Sequence, residues 1–125
     1  MSVKTEGKHT GEFLVSEAPG TRSRDAVTVT VPANTTLQPG YVLGQLSSGG
    51  KYVPYDNAET DGREDAAGIL YDEFVNDTDE AVDVDATIVN TDAEVRKADL
   101  VWFDKDNDEA GGLVDLLALG IKARE

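Results

Sequence analysis

The chain has 125 residues, a formal net charge of −14 and no cysteine. That length suits one domain with a modest core, and the missing cysteine excludes disulfides and thiolate chemistry. No run approaches the roughly 18 apolar residues of a membrane span, and the polar N-terminus lacks a signal-peptide core, so a soluble protein made in a cytoplasm, without membrane contact, is expected.

The charge is unevenly spread. Residues 1–24 hold Lys4, Lys8, Arg22 and Arg24 against Glu6, Glu12 and Glu17, so the whole negative excess lies in the remainder. Such a body repels nucleic acid, whose affinity for proteins comes from Lys and Arg displacing counterions. Acidity by itself signifies solubility or adaptation to salty surroundings.

Residues 1–26 are expected to form a flexible N-terminal arm, and residues 27–125 a single β-rich domain. The arm is punctuated by Gly7, Gly11 and Pro19-Gly20, and its one apolar cluster is Phe13-Leu14-Val15. It reads either as a frayed terminus or as a segment that orders on a partner. In the second case those three residues are the anchors, adding a strand to an exposed sheet edge. Next, Val27, Val29 and Val31 alternate with Thr28 and Thr30, a half-buried strand ended by Pro32. Ala33 to Thr36 reads as loop.

The stretch from Thr36 to Leu70 organises the rest. Pro39-Gly40 suits a type II turn, and a short strand follows. Ser47 to Gly50 turns the chain, and Lys51 to Tyr55 returns, with Pro54 marking a strand end or an exposed edge. Asp61-Gly62 is a further turn, and Ala67 to Tyr71 an apolar run containing Gly68. Asn76 to Glu80 reads as an acidic loop. Val82, Val84, Ala86 and Ile88 then alternate with Asp83, Asp85 and Thr87, one face on a core and one in water. Thr91 followed by Glu94 fits a capping box, which predicts a short helix over Asp92 to Ala98. After the apolar run Leu100 to Phe103, Asp104 to Gly112 reads as an acidic loop. Leu113, Leu116 and Leu117 predict a two-turn helix burying that face, with Gly120 as its C′ residue and Ile121 against the last turn.

Catalytic patterns are nearly absent. The single histidine, His9, lies in the arm, so a triad would have a loosely held base. No phosphate loop is present, and with acids everywhere no one carboxylate pair is informative. Asp104, Asp106, Asp108 and Asp115 fall at positions 1, 3, 5 and 12 of an EF-hand-like loop, but Glu109 stands where the turn needs Gly. No metal or other cofactor is expected, and loose cation screening is the better reading. Tyr41, Tyr52, Tyr55 and Trp102 offer stacking faces for a glycan- or host-binding surface module, although their apolar surroundings favour core packing.

Leu37 to Gly44, Lys51-Tyr52-Val53-Pro54-Tyr55-Asp56, Asp61-Gly62, Gly68-Ile69-Leu70, Asp99-Leu100-Val101-Trp102 and Gly120-Ile121 follow one another in an order that resembles the lambda-type head decoration proteins of tailed bacteriophages. The resemblance covers roughly residues 36–123 and is weakest over Asn76 to Thr91, where extra acids accumulate. It implies a non-enzymatic cement protein of the virion, bound as a homotrimer to the major capsid protein. Its place would be the outer surface of the expanded shell, at three-fold and quasi-three-fold positions. Phe13, Leu14 and Val15 would then be the capsid-binding residues of the arm. The expected fold is mainly β (α+β), a small compact domain with two short helices and an extended N-terminal arm.

Overall fold

The computed structural model describes residues 13–17 and 23–125. Ten strands follow one another: β1 (Leu14–Glu17), β2 (Arg24–Val31), β3 (Thr35–Leu37), β4 (Val42–Gln45), β5 (Tyr52–Pro54), β6 (Ala66–Leu70), β7 (Phe74–Asn76), β8 (Val82–Val89), β9 (Ala93–Arg96) and, after the helix, β10 (Ile121–Arg124). Among the described residues the helical elements that lie wholly within them are a 3-10 turn over Lys97–Asp99 and one α-helix, α1 (Lys105–Ala118).

The expected β-rich domain is present, built on a closed barrel of β2, β5, β4, β6 and β8. The two alternating runs form its longest ladder, β2 antiparallel to β8 from Arg24–Val89 to Val31–Val82. Val29, Val31, Ala86 and Ile88 fill the barrel, and the acids of β8 face water. On β4, β6 and β8 the pattern changes to adjacent apolar pairs. Leu43, Leu70 and Ile88 point into the barrel, whereas Val42, Ile69 and Val89 join a second core outside it. A strand covered on both faces loses its polar alternation, and here the outer cover is α1 together with the sheet β1-β9-β10.

The turns behave as their residues require. Gly40 has φ +93°, and Tyr41 N–H donates to the Gln38 carbonyl at 3.1 Å, closing the Pro39-Gly40 turn. An added Cβ at Gly40 would lie 2.5 Å from the Asp99 carbonyl oxygen. Leu46 N–H donates to the Lys51 carbonyl at 2.8 Å across the β4–β5 hairpin, and Pro54 ends β5.

Two segments differ from expectation. Asp92 to Ala98 is not a helix. Asp92 takes φ +46°, a left-handed conformation in which no helix starts, and Ala93–Arg96 is a strand paired on both edges: antiparallel to β1 and parallel to β10. Two ladders outweigh one capping box. The expected acidic loop, conversely, is the first half of α1, which begins at Lys105 and so runs twice the expected length. Gly112 sits inside it because a Cβ there would overlap Trp102 Cζ3 and lie 2.7 Å from Cη2 and 3.0 Å from Tyr55 Cε2. The helix buries Leu116 and half-buries Leu113, but Leu117 is 62% exposed. Thr35–Leu37 and Phe74–Asn76, read as loop or left unassigned, pair as a two-stranded flap.

Candidate functional site

Of the expected arm, residues 1–12 (including His9) and 18–22 lie outside the described residues. Phe13 to Glu17 and the start of β2 are part of the body. Phe13 is 1% exposed and packs in the outer core with Val95, Trp102 and Ile121. Its carbonyl accepts the Arg96 N–H at 2.8 Å. Leu14 packs partly against the same core. The register shifts between Leu14 and Ser16, so Val15 sits on a bulge, 48% exposed. A bulge re-aims a side chain, and of the three expected anchors Val15 is the one presented outward. Sequence reasoning grouped them by hydropathy; the bulge separates them.

This sheet has two free edges among the described residues, β1 and β10. Polar contacts bind its exposed face: Ser16 Oγ donates to Glu94 Oε2 at 3.1 Å, and Arg124 Nη2 to Glu94 Oε1 at 2.6 Å. The Arg124 hydrogen bond, then that of Ser16, holds the Glu94 carboxyl below its ordinary range.

The aromatic residues weighed as stacking faces are buried: Tyr41, Tyr52, Tyr55 and Trp102 are each 9% exposed or less. Tyr55 and Trp102 meet edge to face with ring centroids 6.1 Å apart. That removes the platforms on which the glycan-binding alternative rested. Burial first, and then the carboxylates of Asp115, Asp108, Asp65 and Asp56, push the Tyr55 hydroxyl from 10.0 up to about 12. A phenol raised in the folded state stabilises the fold fully below its unfolded value and loses that contribution as pH rises through the folded one. Tyr55→Phe should therefore flatten the loss of stability between pH 10.0 and about 12 in urea titrations. Equal slopes in both proteins would pass the effect to Tyr41 and Tyr52, which burial also raises.

The EF-hand-like acids do not converge. Asp104 Oδ2 accepts from Asn107 Nδ2 at 2.7 Å. Asp108, wholly buried, accepts the backbone N–H of Asn57 and of Asp104, each at 3.0 Å. Asp115 accepts the Ala66 N–H at 2.9 Å. These are ties between α1 and the loop before β6, made from a helix rather than a calcium loop, and no group of three metal-ligating side chains is found among the described residues. A surface depression beside the β4–β5 hairpin is lined by Gln45, Ser47, Glu64 and Asp65, among others, with no Lys or Arg.

What distinguishes the molecule is therefore its surfaces: a bulged edge strand, an acidic barrel face, and a helix with exposed leucine and valine. The family model for bacteriophage lambda head decoration protein D matches residues 3–121. The chain belongs to that family. No curated protein sequence matches it significantly. Membership in a head decoration family carries a structural role on the phage capsid, and such a family is not an enzyme family. The match begins at residue 3, so it takes in the N-terminal segment and β2, beyond the stretch in which the resemblance is legible by eye.

Proposed function

We propose that this head decoration protein is a capsid cement. It binds the major capsid protein on the outer surface of the phage head, as homotrimers at three-fold and quasi-three-fold positions, and stabilises the expanded shell. The observation that carries the reading is the family match over nearly the whole chain. The acidic body fits an exterior position, since a protein of net charge −14 has no use for the polyanion inside. Contact with the shell runs through the N-terminal segment and the outer edge of β1, which pairs with no other strand among the described residues and can add to a capsid strand. Val15 supplies the outward apolar contact and Leu14 a partial one, while Phe13 holds the strand to the body.

The test is co-sedimentation with undecorated expanded shells. Deleting residues 1–12 keeps Phe13 in place, so the body stays folded with an unchanged urea midpoint. The deletion should nevertheless raise the concentration needed for half-occupancy at least about tenfold, the effect of roughly 1.4 kcal/mol per site. Val15→Asp should weaken binding in the same direction. If the shortened protein saturates shells at the full-length concentration, the segment is not the capsid contact.

A further inference from the structure

The acidic turn between β7 and β8 is built more firmly than a solvent loop needs to be. Asn76, 6% exposed, donates through Nδ2 to the carbonyls of Val31, Pro32 and Glu80 at 3.0, 3.1 and 2.8 Å. Its Oδ1 accepts from the Thr78 N–H at 3.0 Å and the Thr78 hydroxyl at 2.6 Å. Asn34 N–H donates to the Thr78 carbonyl at 2.9 Å from the other side. The turn thus held displays Asp77, Asp79 and Glu80 between two exposed valines, Val75 at 65% and Val82 at 41%. A preorganised segment loses little entropy on docking.

A surface of opposite character lies elsewhere on the chain. Between α1 and β10 runs a groove lined by Lys97, Leu113, Leu117, Ile121, Lys122, Ala123 and Glu125, two cations against one acid. Leu117 is 62% exposed and its neighbour Val114 69%. Lys105 stands beside Lys97 and Glu125 in the adjoining depression. Acids and cations here are partly paired with one another: Glu94 with Arg124 at 2.6 Å, Glu125 with Lys97 at 3.7 Å and Glu109 with Lys105 at 3.8 Å, whereas Lys122 makes no such ion pair among the described residues. Ile121 packs in the same core as Val89, whereas Val82 is at the far end of β8. At about 3.4 Å per residue Val82 lies roughly 24 Å along β8 from Val89, so the turn stands at the opposite end of that strand from the outer core.

We infer that the two surfaces are halves of one contact between copies: the Asn76–Val82 turn of one molecule seats in the α1–β10 groove of the next. The charges are complementary, and each side carries exposed aliphatic residues beside its charges. A contact between two different surfaces is head-to-tail and closes into a ring when the rotation permits. The inference rests on the homotrimer reading above and supplies its surfaces. It leaves the β1 edge, across the sheet from β10, for the shell.

Charge reversal tests it. Three variants are needed: Asp77→Lys/Asp79→Lys/Glu80→Lys, Lys97→Glu/Lys122→Glu, and the two sets combined. Mass is read by light scattering on the free protein, and copies per site by counting on expanded shells, with urea midpoints confirming the folds. Each single-face set should weaken self-association about tenfold or more, and the combined set should recover most of the loss, since opposite charges face each other again. The turn reversal is the sharper arm. It takes the net charge from −14 to about −8, so bulk repulsion alone predicts tighter association, and tighter association would overturn the inference. A combined variant no better than either single set would do the same. So would a groove variant that still trimerises when free but no longer binds shells, because the groove would then belong to the capsid. If wild-type protein occupies shells one copy per site, the trimer reading itself fails. If it occupies them in threes and every variant does too, only this contact fails.

Discussion

Phe13→Ala should lower the stability of the body by about 3–5 kcal/mol, the range for removing a buried aromatic side chain. Phe13 is 1% exposed and touches a core shared by β9, β10, α1 and the outer wall of the barrel, so the vacated space is bounded by four elements that cannot all close in. The measurement is urea unfolding of the full chain, followed by Trp102 fluorescence, since Trp102 lies in the same core. A fall below about 1 kcal/mol would mean that β1 detaches as a unit at little expense, leaving the rest folded. Phe13→Leu, which retains most of the apolar volume, should recover over half of the loss.

Asp108→Ala should cost about 3 kcal/mol or more. The carboxylate is fully buried and accepts two backbone N–H groups, Asn57 from the loop and Asp104 from the start of the helix, each at 3.0 Å. Hydrogen bonds to a charged group contribute roughly 1.5–3 kcal/mol each, and alanine leaves both donors without an acceptor. The first turn of a helix also favours a negative charge. Asp108→Asn retains one side-chain oxygen and should lose less. Asp106, exposed in the same turn, is the control: Asp106→Ala removes a comparable dipole contribution and should change stability by under about 1 kcal/mol. If the two alanine variants unfold at the same urea concentration, the tie from α1 to the loop is unimportant.

Asp108 also marks where sequence reading stops. Asp104, Asp106, Asn107, Asp108 and Gly111-Gly112 argue for loop, and they outnumber the helix formers Lys105, Glu109 and Ala110. Gly112 stands in the helix because Trp102 and Tyr55 leave no room for a Cβ there, and the helix is held because Asp108 and Asp115 reach N–H groups that lie some fifty residues earlier in the chain. Neither reason is local. The same holds for Thr91 to Glu94, whose capping pattern is outweighed by pairing with two strands from the far ends of the described chain. What was legible depended on nearest neighbours. The β2 and β8 alternations, the Pro39-Gly40 turn, the β4–β5 hairpin and the Gly120-Ile121 stop each depend on a few adjacent residues, and each stands where expected. The candidate site divides the same way. Phe13, Leu14 and Val15 are visible as an apolar cluster, but only the bulge decides which of them faces outward. The acidic turn is visible as charge, whereas its rigidity comes from one buried asparagine that hydropathy passes over.

The closed barrel has a consequence for crowding. Decorating a large surface requires many identical copies at high local concentration, the condition under which exposed strands of like sequence cross-pair and nucleate fibres. The five barrel strands close on themselves. The edges left open among the described residues belong to strands of three or four residues: β1, β10 and the β3–β7 flap. Lys122 and Arg124 punctuate β10, and acids follow directly on β7. Edges this short and this charged give a growing fibre too little to template on. The architecture therefore lets the chain accumulate in quantity without offering its strands to fibre growth.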